Sequence, residues 1–189
     1  LEHAEDFQID PDRIVVSGHS AGGHLALTTG LLPASAGLDR LCPATARDGG
    51  AADATLPEMP VAAVVNWFGI TDVEDLVEGP NAKTYAVAWL GSRPDRSEVA
   101  RRVSPLSWVR PGVPPVLTIH GNADDIVPYQ HAVRLHEALD EAGIPNRLHT
   151  VEGAGHGHFT LEQQRAAFEA IRSFLADHLP APPAPSDSP

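Results

Sequence analysis

A chain of 189 residues, 42% of them hydrophobic, is long enough to bury a core of its own. Lys and Arg number 13 against 25 Asp and Glu, a net charge of −12, and a surface that acidic repels nucleic-acid backbones and anionic lipid. No apolar run approaches the ~20 residues that span a bilayer, and the single Cys42 excludes an intrachain disulfide framework. The N-terminal LEHAEDFQIDPDR has no initiator Met and no signal pattern, and reads like the tail of a helix running into a turn, as though the chain starts inside a longer protein. Asp10-Pro11-Asp12 is turn chemistry, and Ile14–Val16 after it predicts a short buried strand. His24–Leu32 suits a short buried helix before Pro33, and 33–60 reads as a long loop of Ala, Gly, Pro and Asp. Val61–Phe68 predicts a second strand, closed by Gly69, with helices over Asn81–Leu90 and Arg96–Arg102. Pro115–His120 predicts a third strand, and Pro128 opens a helix running to Gly143. Arg147–Val151 is a fourth strand. Thr160 caps a last helix whose Leu161, Phe168, Ile171 and Leu175 recur at helical spacing, ahead of a disordered Pro/Ala-rich tail at 180–189.

Strands separated by helices, without strict alternation, predict an α/β fold: one mostly parallel sheet covered on both faces. Within it, RIVVSGHSAGGH at 13–24 holds a G-x-S-x-G motif, with Gly18 and Gly22 two positions either side of Ser20. In that motif the serine stands on a strained turn between strand and helix, with its hydroxyl above the sheet edge and helix N–H groups beside it. Ser20 therefore reads as a nucleophile, and a serine hydroxyl needs a base, itself oriented by an acid. The third strand is followed by HGNADDIVP, with Asp124 and Asp125, and the fourth by EGAGHGHF, with His156 and His158. All three loops follow strand C-terminal ends and meet on one rim. Either aspartate and either histidine fills the spacing. His156 and His158 with Asp124 would also make a three-ligand metal site, a reading that leaves the serine turn unexplained. His19 lines a pocket or packs. Trp67 and Phe68 end a strand on the rim, where walling a substrate pocket and packing the core are equal readings. Asp72 reads as a turn residue, and Trp89 and Trp108 as packing residues.

GHSAGG at 18–23, WFGITD at 67–72, SPLSWV at 104–109, HGNADDIVP at 120–128 and GAGHG at 153–157 together resemble the α/β-hydrolase esterases and lipases. The similarity is to the branch of hormone-sensitive-lipase-like and feruloyl or acetyl-xylan esterases. The resemblance implies a carboxylic-ester hydrolase acting on a small-molecule ester, with no cofactor and no metal. Ser20 would be the nucleophile, His156 the general base and Asp124 the acid, since the family places its acid three residues after the glycine of HG. The Ala21 N–H would donate to the oxyanion. Residues 1–179 would be the C-terminal portion of one α/β-hydrolase domain, whose earlier strands and HGG-type loop lie outside this chain. A serine peptidase, an acyltransferase or a non-catalytic binding protein could share the same scaffold. Oligomeric state has no signal in the sequence.

Overall fold

The computed structural model describes residues 3–38 and 60–179. Four strands, β1 (Val15–His19), β2 (Ala63–Trp67), β3 (Val116–Gly121) and β4 (Asn146–Val151), form a parallel sheet in sequence order, as the absence of alternation predicts. Alternate residues of β2 and β3 serve opposite faces. Val64 and Val116 pack with Ala26, Leu27 and Leu31 of α1 (Ala21–Leu31) and with Leu135 and Leu139 of α5 (Gln130–Glu141). Ala63, Val65, Leu117 and Ile119 pack on the other face with Ala167 and Phe174 of α6 (Leu161–His178). Removing a side chain such as the fully buried Phe174 from water contributes about 1.5–3 kcal/mol. Between β2 and β3, the helices α2 (Val73–Val77), α3 (Thr84–Leu90) and α4 (Arg96–Arg102) close a satellite cluster on Val73, Leu76, Ala86 and Ala100.

The structure shifts several expected boundaries. β1 extends to His19, and α1 starts at Ala21 rather than His24, because the serine turn leads straight into the helix. α5 begins at Gln130, two residues later than expected, with turns at Pro128 and Tyr129 accepting from the N–H groups of His131 and Ala132. α2 went unforeseen: Asp72 caps it by accepting from the Asp75 N–H at 3.2 Å. Thr160 caps α6 as expected, and Gln163 returns the bond to make a reciprocal box. The buried stripe of α6 is a correction: Leu161 and Phe168 are 63% and 62% exposed, and Ala167 and Phe174 take the core positions. Trp89 is a second correction, since it is 60% exposed rather than packed. Most of the expected 33–60 loop, and the tail at 180–189, lie outside the described residues.

Candidate active site

Ser20 caps α1 with φ 54° and ψ −116°, a conformation that costs a non-glycine residue on the order of 1–3 kcal/mol. The surrounding ladder holds it there. The Ser20 N–H donates to the Trp67 carbonyl at 2.9 Å, and the Phe68 N–H donates to the Ile119 carbonyl at 2.8 Å. A Cβ on Gly18 would stand 2.2 Å from the Gly22 carbonyl oxygen, so the turn requires glycine there. Gly22 differs from expectation, because a Cβ on it would meet no described atom within 4 Å.

Asp124 and His156 reach the same rim from the ends of β3 and β4. Asp124 Oδ1 accepts from the N–H groups of Ile126 and Val127, both at 2.9 Å, so the aspartate builds its own turn rather than capping α5. His156 Nδ1 lies 2.7 Å from Asp124 Oδ2, and His156 Nε2 lies 2.8 Å from Ser20 Oγ. Burial opposes the charge on Asp124, but hydrogen bonds from His120, His156, and the Val127 and Ile126 N–H groups outweigh it and lower its pKa to about 2. An ionised carboxylate only accepts, so the His156 hydrogen sits on Nδ1 and the Ser20 hydroxyl donates to Nε2.

The two loops are stitched to one another. The Asn122 amide donates to Glu152 at 2.5 Å and accepts from the Gly153 N–H at 2.7 Å, while the Ala123 N–H donates to the Ala154 carbonyl at 3.0 Å. A Cβ on Gly121 would lie 2.2 Å from that same Ala154 oxygen, so this approach also demands glycine. Sequence reasoning missed Asn122, although an Asn between a strand and a turn is a recognisable signal. It missed Asn66 as well, which is fully buried, donates to Thr118 Oγ1 at 3.2 Å and accepts from the Gly69 N–H at 2.9 Å.

Of the remaining candidates, Asp125 is exposed and uses its backbone carbonyl to accept from Lys83 Nζ at 2.7 Å. His158 is exposed, whereas both ring nitrogens of His156 are engaged. Among the described residues, no three His, Cys, Asp or Glu side chains are grouped as a metal site. His19 is exposed and stacks on Trp67 with ring centroids 4.9 Å apart. Trp67 and Phe68 are 5% and 6% exposed, which is the core-packing reading of both. The Phe68 and His156 rings meet in a T-shaped contact with centroids 4.8 Å apart, which packs Phe68 against the imidazole. The Phe68 backbone is left-handed, with φ 41°. Ala21 is the first residue of α1, directly after Ser20. His24 packs rather than faces open space, with Nδ1 2.9 Å from the Ile70 carbonyl. α3 is strung between the two sides of the site: Tyr85 Oη donates to the Ile126 carbonyl at 3.1 Å, and Trp89 stands edge-on to His24 at 6.1 Å.

A family model described as BD-FAE matches residues 1–139. Esterase LipC of Mycobacterium tuberculosis is 33% identical over 184 residues, covering 92% of this chain and 42% of the relative. The non-reducing polyketide synthase trt4 of Aspergillus terreus is 32% identical over 145 residues, covering 70% of this chain and 6% of the synthase. Among solved structures, the apo form of Thermogutta terrifontis esterase 2 is similar with a TM-score of 0.69 at 28% identity, covering 96% of this chain and 62% of that one. The chain thus spans less than two thirds of the length of each of these proteins.

Proposed function

Given that the chain belongs to the BD-FAE family and has the α/β-hydrolase fold of its esterase relatives, we propose that it is a carboxylic-ester hydrolase working through Ser20, His156 and Asp124. The observation that carries the reading is the relay of 2.8 Å from Ser20 Oγ to His156 and 2.7 Å from His156 to Asp124, on a serine held at φ 54°. The relatives named as esterases support the same reaction class.

In this mechanism Ser20 Oγ attacks the ester carbonyl while His156 Nε2 takes its proton. Asp124 keeps the His156 hydrogen on Nδ1 and stabilises the imidazolium that forms. The Ala21 N–H, at the start of α1, donates to the developing oxyanion. His156 then passes its proton to the leaving alcohol, the acyl group stays on Ser20, and water repeats the sequence to release the acid. The substrate is a small-molecule ester with a short acyl chain or an aryl group. Steady-state turnover of nitrophenyl acetate and of a peptide anilide by the chain and by Ser20→Ala separates the readings. Ester turnover that disappears in the variant, without anilide cleavage, is the expected result. Anilide cleavage would move the assignment to a peptidase, and equal turnover by Ser20→Ala would remove Ser20 from the chemistry.

A further inference from the structure

No step of that mechanism uses the imidazole near the end of β3. His120 is fully buried, and its Nε2 lies 3.1 Å from the Val127 carbonyl oxygen and 3.2 Å from Asp124 Oδ2. Both neighbours are acceptors, so the hydrogen sits on Nε2 and is shared between them, with the shorter arm to Val127. Nδ1 is buried and has no hydrogen-bond partner among the described residues; a hydrogen placed there would be an orphaned donor. The ring is held in place by Tyr129, edge-on at 5.7 Å, whose hydroxyl is in turn bonded to Thr150 Oγ1 at 2.5 Å.

The two Asp124 oxygens are held differently. Oδ1 is bound by two backbone N–H groups of its own turn. Among the described residues Oδ2, the oxygen that faces His156, has no backbone donor and depends on side chains reaching it from β3 and from the loop after β4. We propose that His120 is the positioning residue of this site: its shared Nε2–H fastens Asp124 Oδ2 and the Val127 carbonyl to the end of β3, and so sets the carboxylate in line with His156. Its consequence for turnover rests on the proposed hydrolase reading, while the hydrogen bond itself does not. The other titratable groups close by are Tyr129, Tyr85 of α3, which feels the Asp124 charge, and His131 of α5, which feels His120.

The test is a histidine side-chain NMR titration of the whole chain, labelled with 15N, beside His120→Phe and His120→Gln. The parent should show His120 with its hydrogen on Nε2. His120→Phe keeps a ring but removes the donor. Oδ2 then carries more of its own charge, and His156 should protonate at a pH higher by about half a unit to one unit. His120→Gln, whose amide N–H reaches a similar point, should return His156 to the parent value. Where ester turnover is measurable, His120→Phe should lower kcat about ten- to a hundredfold with little change in KM. A merely structural role would lower the melting temperature of both variants and leave the His156 titration in place, which overturns the proposal. A parent His120 carrying its hydrogen on Nδ1 overturns it equally, even if His120→Phe fails to fold. If the parent hydrolyses no ester but the His156 shift is seen, the hydrolase reading falls and the positioning role stands.

Discussion

Asp124 shows how individual residues divide the work at this rim. Its charge survives burial because hydrogen bonds from two imidazoles and two backbone N–H groups outweigh the lost hydration, and its pKa falls from 3.8 to about 2. A depressed carboxyl contributes stability that is complete above about pH 4 and is lost as pH falls through about 2. The carboxylate is therefore ionised across any ordinary assay range. Asp124→Asn should leave the fold in place and lower turnover roughly 10⁴-fold, by turning the His156 hydrogen to the wrong nitrogen. Asp125→Asn should stay within about twofold, as expected for an exposed side chain. Kinetics of both variants on one aryl ester check the assignment; a large loss in Asp125→Asn alone reverses it. The three loops that bring Ser20, Asp124 and His156 together were legible because each is marked by glycine directly behind a strand, and the family resemblance chose between Asp124 and Asp125 and between His156 and His158. His120 and Asn66 were not legible, because their partners are brought to them only by the folded sheet, while Asn122 carried a turn signal but not the partner it reaches across from the loop after β4.

Among the elements, the strand-to-helix turn around Ser20 is the most constrained. Gly18→Ala puts a methyl group 2.2 Å from backbone, where no side chain can yield, whereas Gly22→Ala meets open space among the described residues. Gly18→Ala should cost at least about 1–3 kcal/mol. Gly22→Ala, in the first turn of α1, should be neutral or stabilising by up to about 1 kcal/mol. Urea unfolding of the pair reads the difference, and equal losses would contradict this account of the turn. β2 and β3 were legible because fully buried parallel strands are short apolar runs bounded by turn residues, whereas β1 and β4 are only partly buried and were marked chiefly by the turns beside them. Helix limits were harder to read. α2 is only five residues long and owes its existence to the Asp72 cap and the satellite cluster. In α6 two apolar chains at the expected spacing remain exposed, while Phe174 and the small Ala167 are fully buried in the cluster against the sheet.

Across the whole molecule, α5 is fastened to the segment after β2 through His131. Its Nδ1 accepts from the Thr71 and Asp72 N–H groups at 3.2 and 3.3 Å, and Arg134 on the same helix pairs with Asp72 and Asp75. Burial and the neighbouring Arg134 charge push the His131 pKa down from 6.5 to about 4. Between those values the unfolded chain takes up a proton that the folded chain refuses, so stability falls as pH drops from about 6.5 to about 4 and levels off below. The loss is on the order of 3 kcal/mol. Buried His24 and His136 are lowered in the same direction, so His131→Gln should flatten the slope without abolishing it. Melting temperatures across that window measure the slope; an unchanged slope in His131→Gln removes His131 from the linkage. The site itself belongs to this scale, since residues 20 and 156 are 136 positions apart and meet only through the assembled sheet. The most direct test of the central claim is therefore intact-mass analysis after treatment with a fluorophosphonate, on the chain and on Ser20→Ala. A single adduct that disappears in the variant is the predicted result. An unlabelled, well-folded chain, or an adduct that persists in Ser20→Ala, would contradict an activated serine at this position.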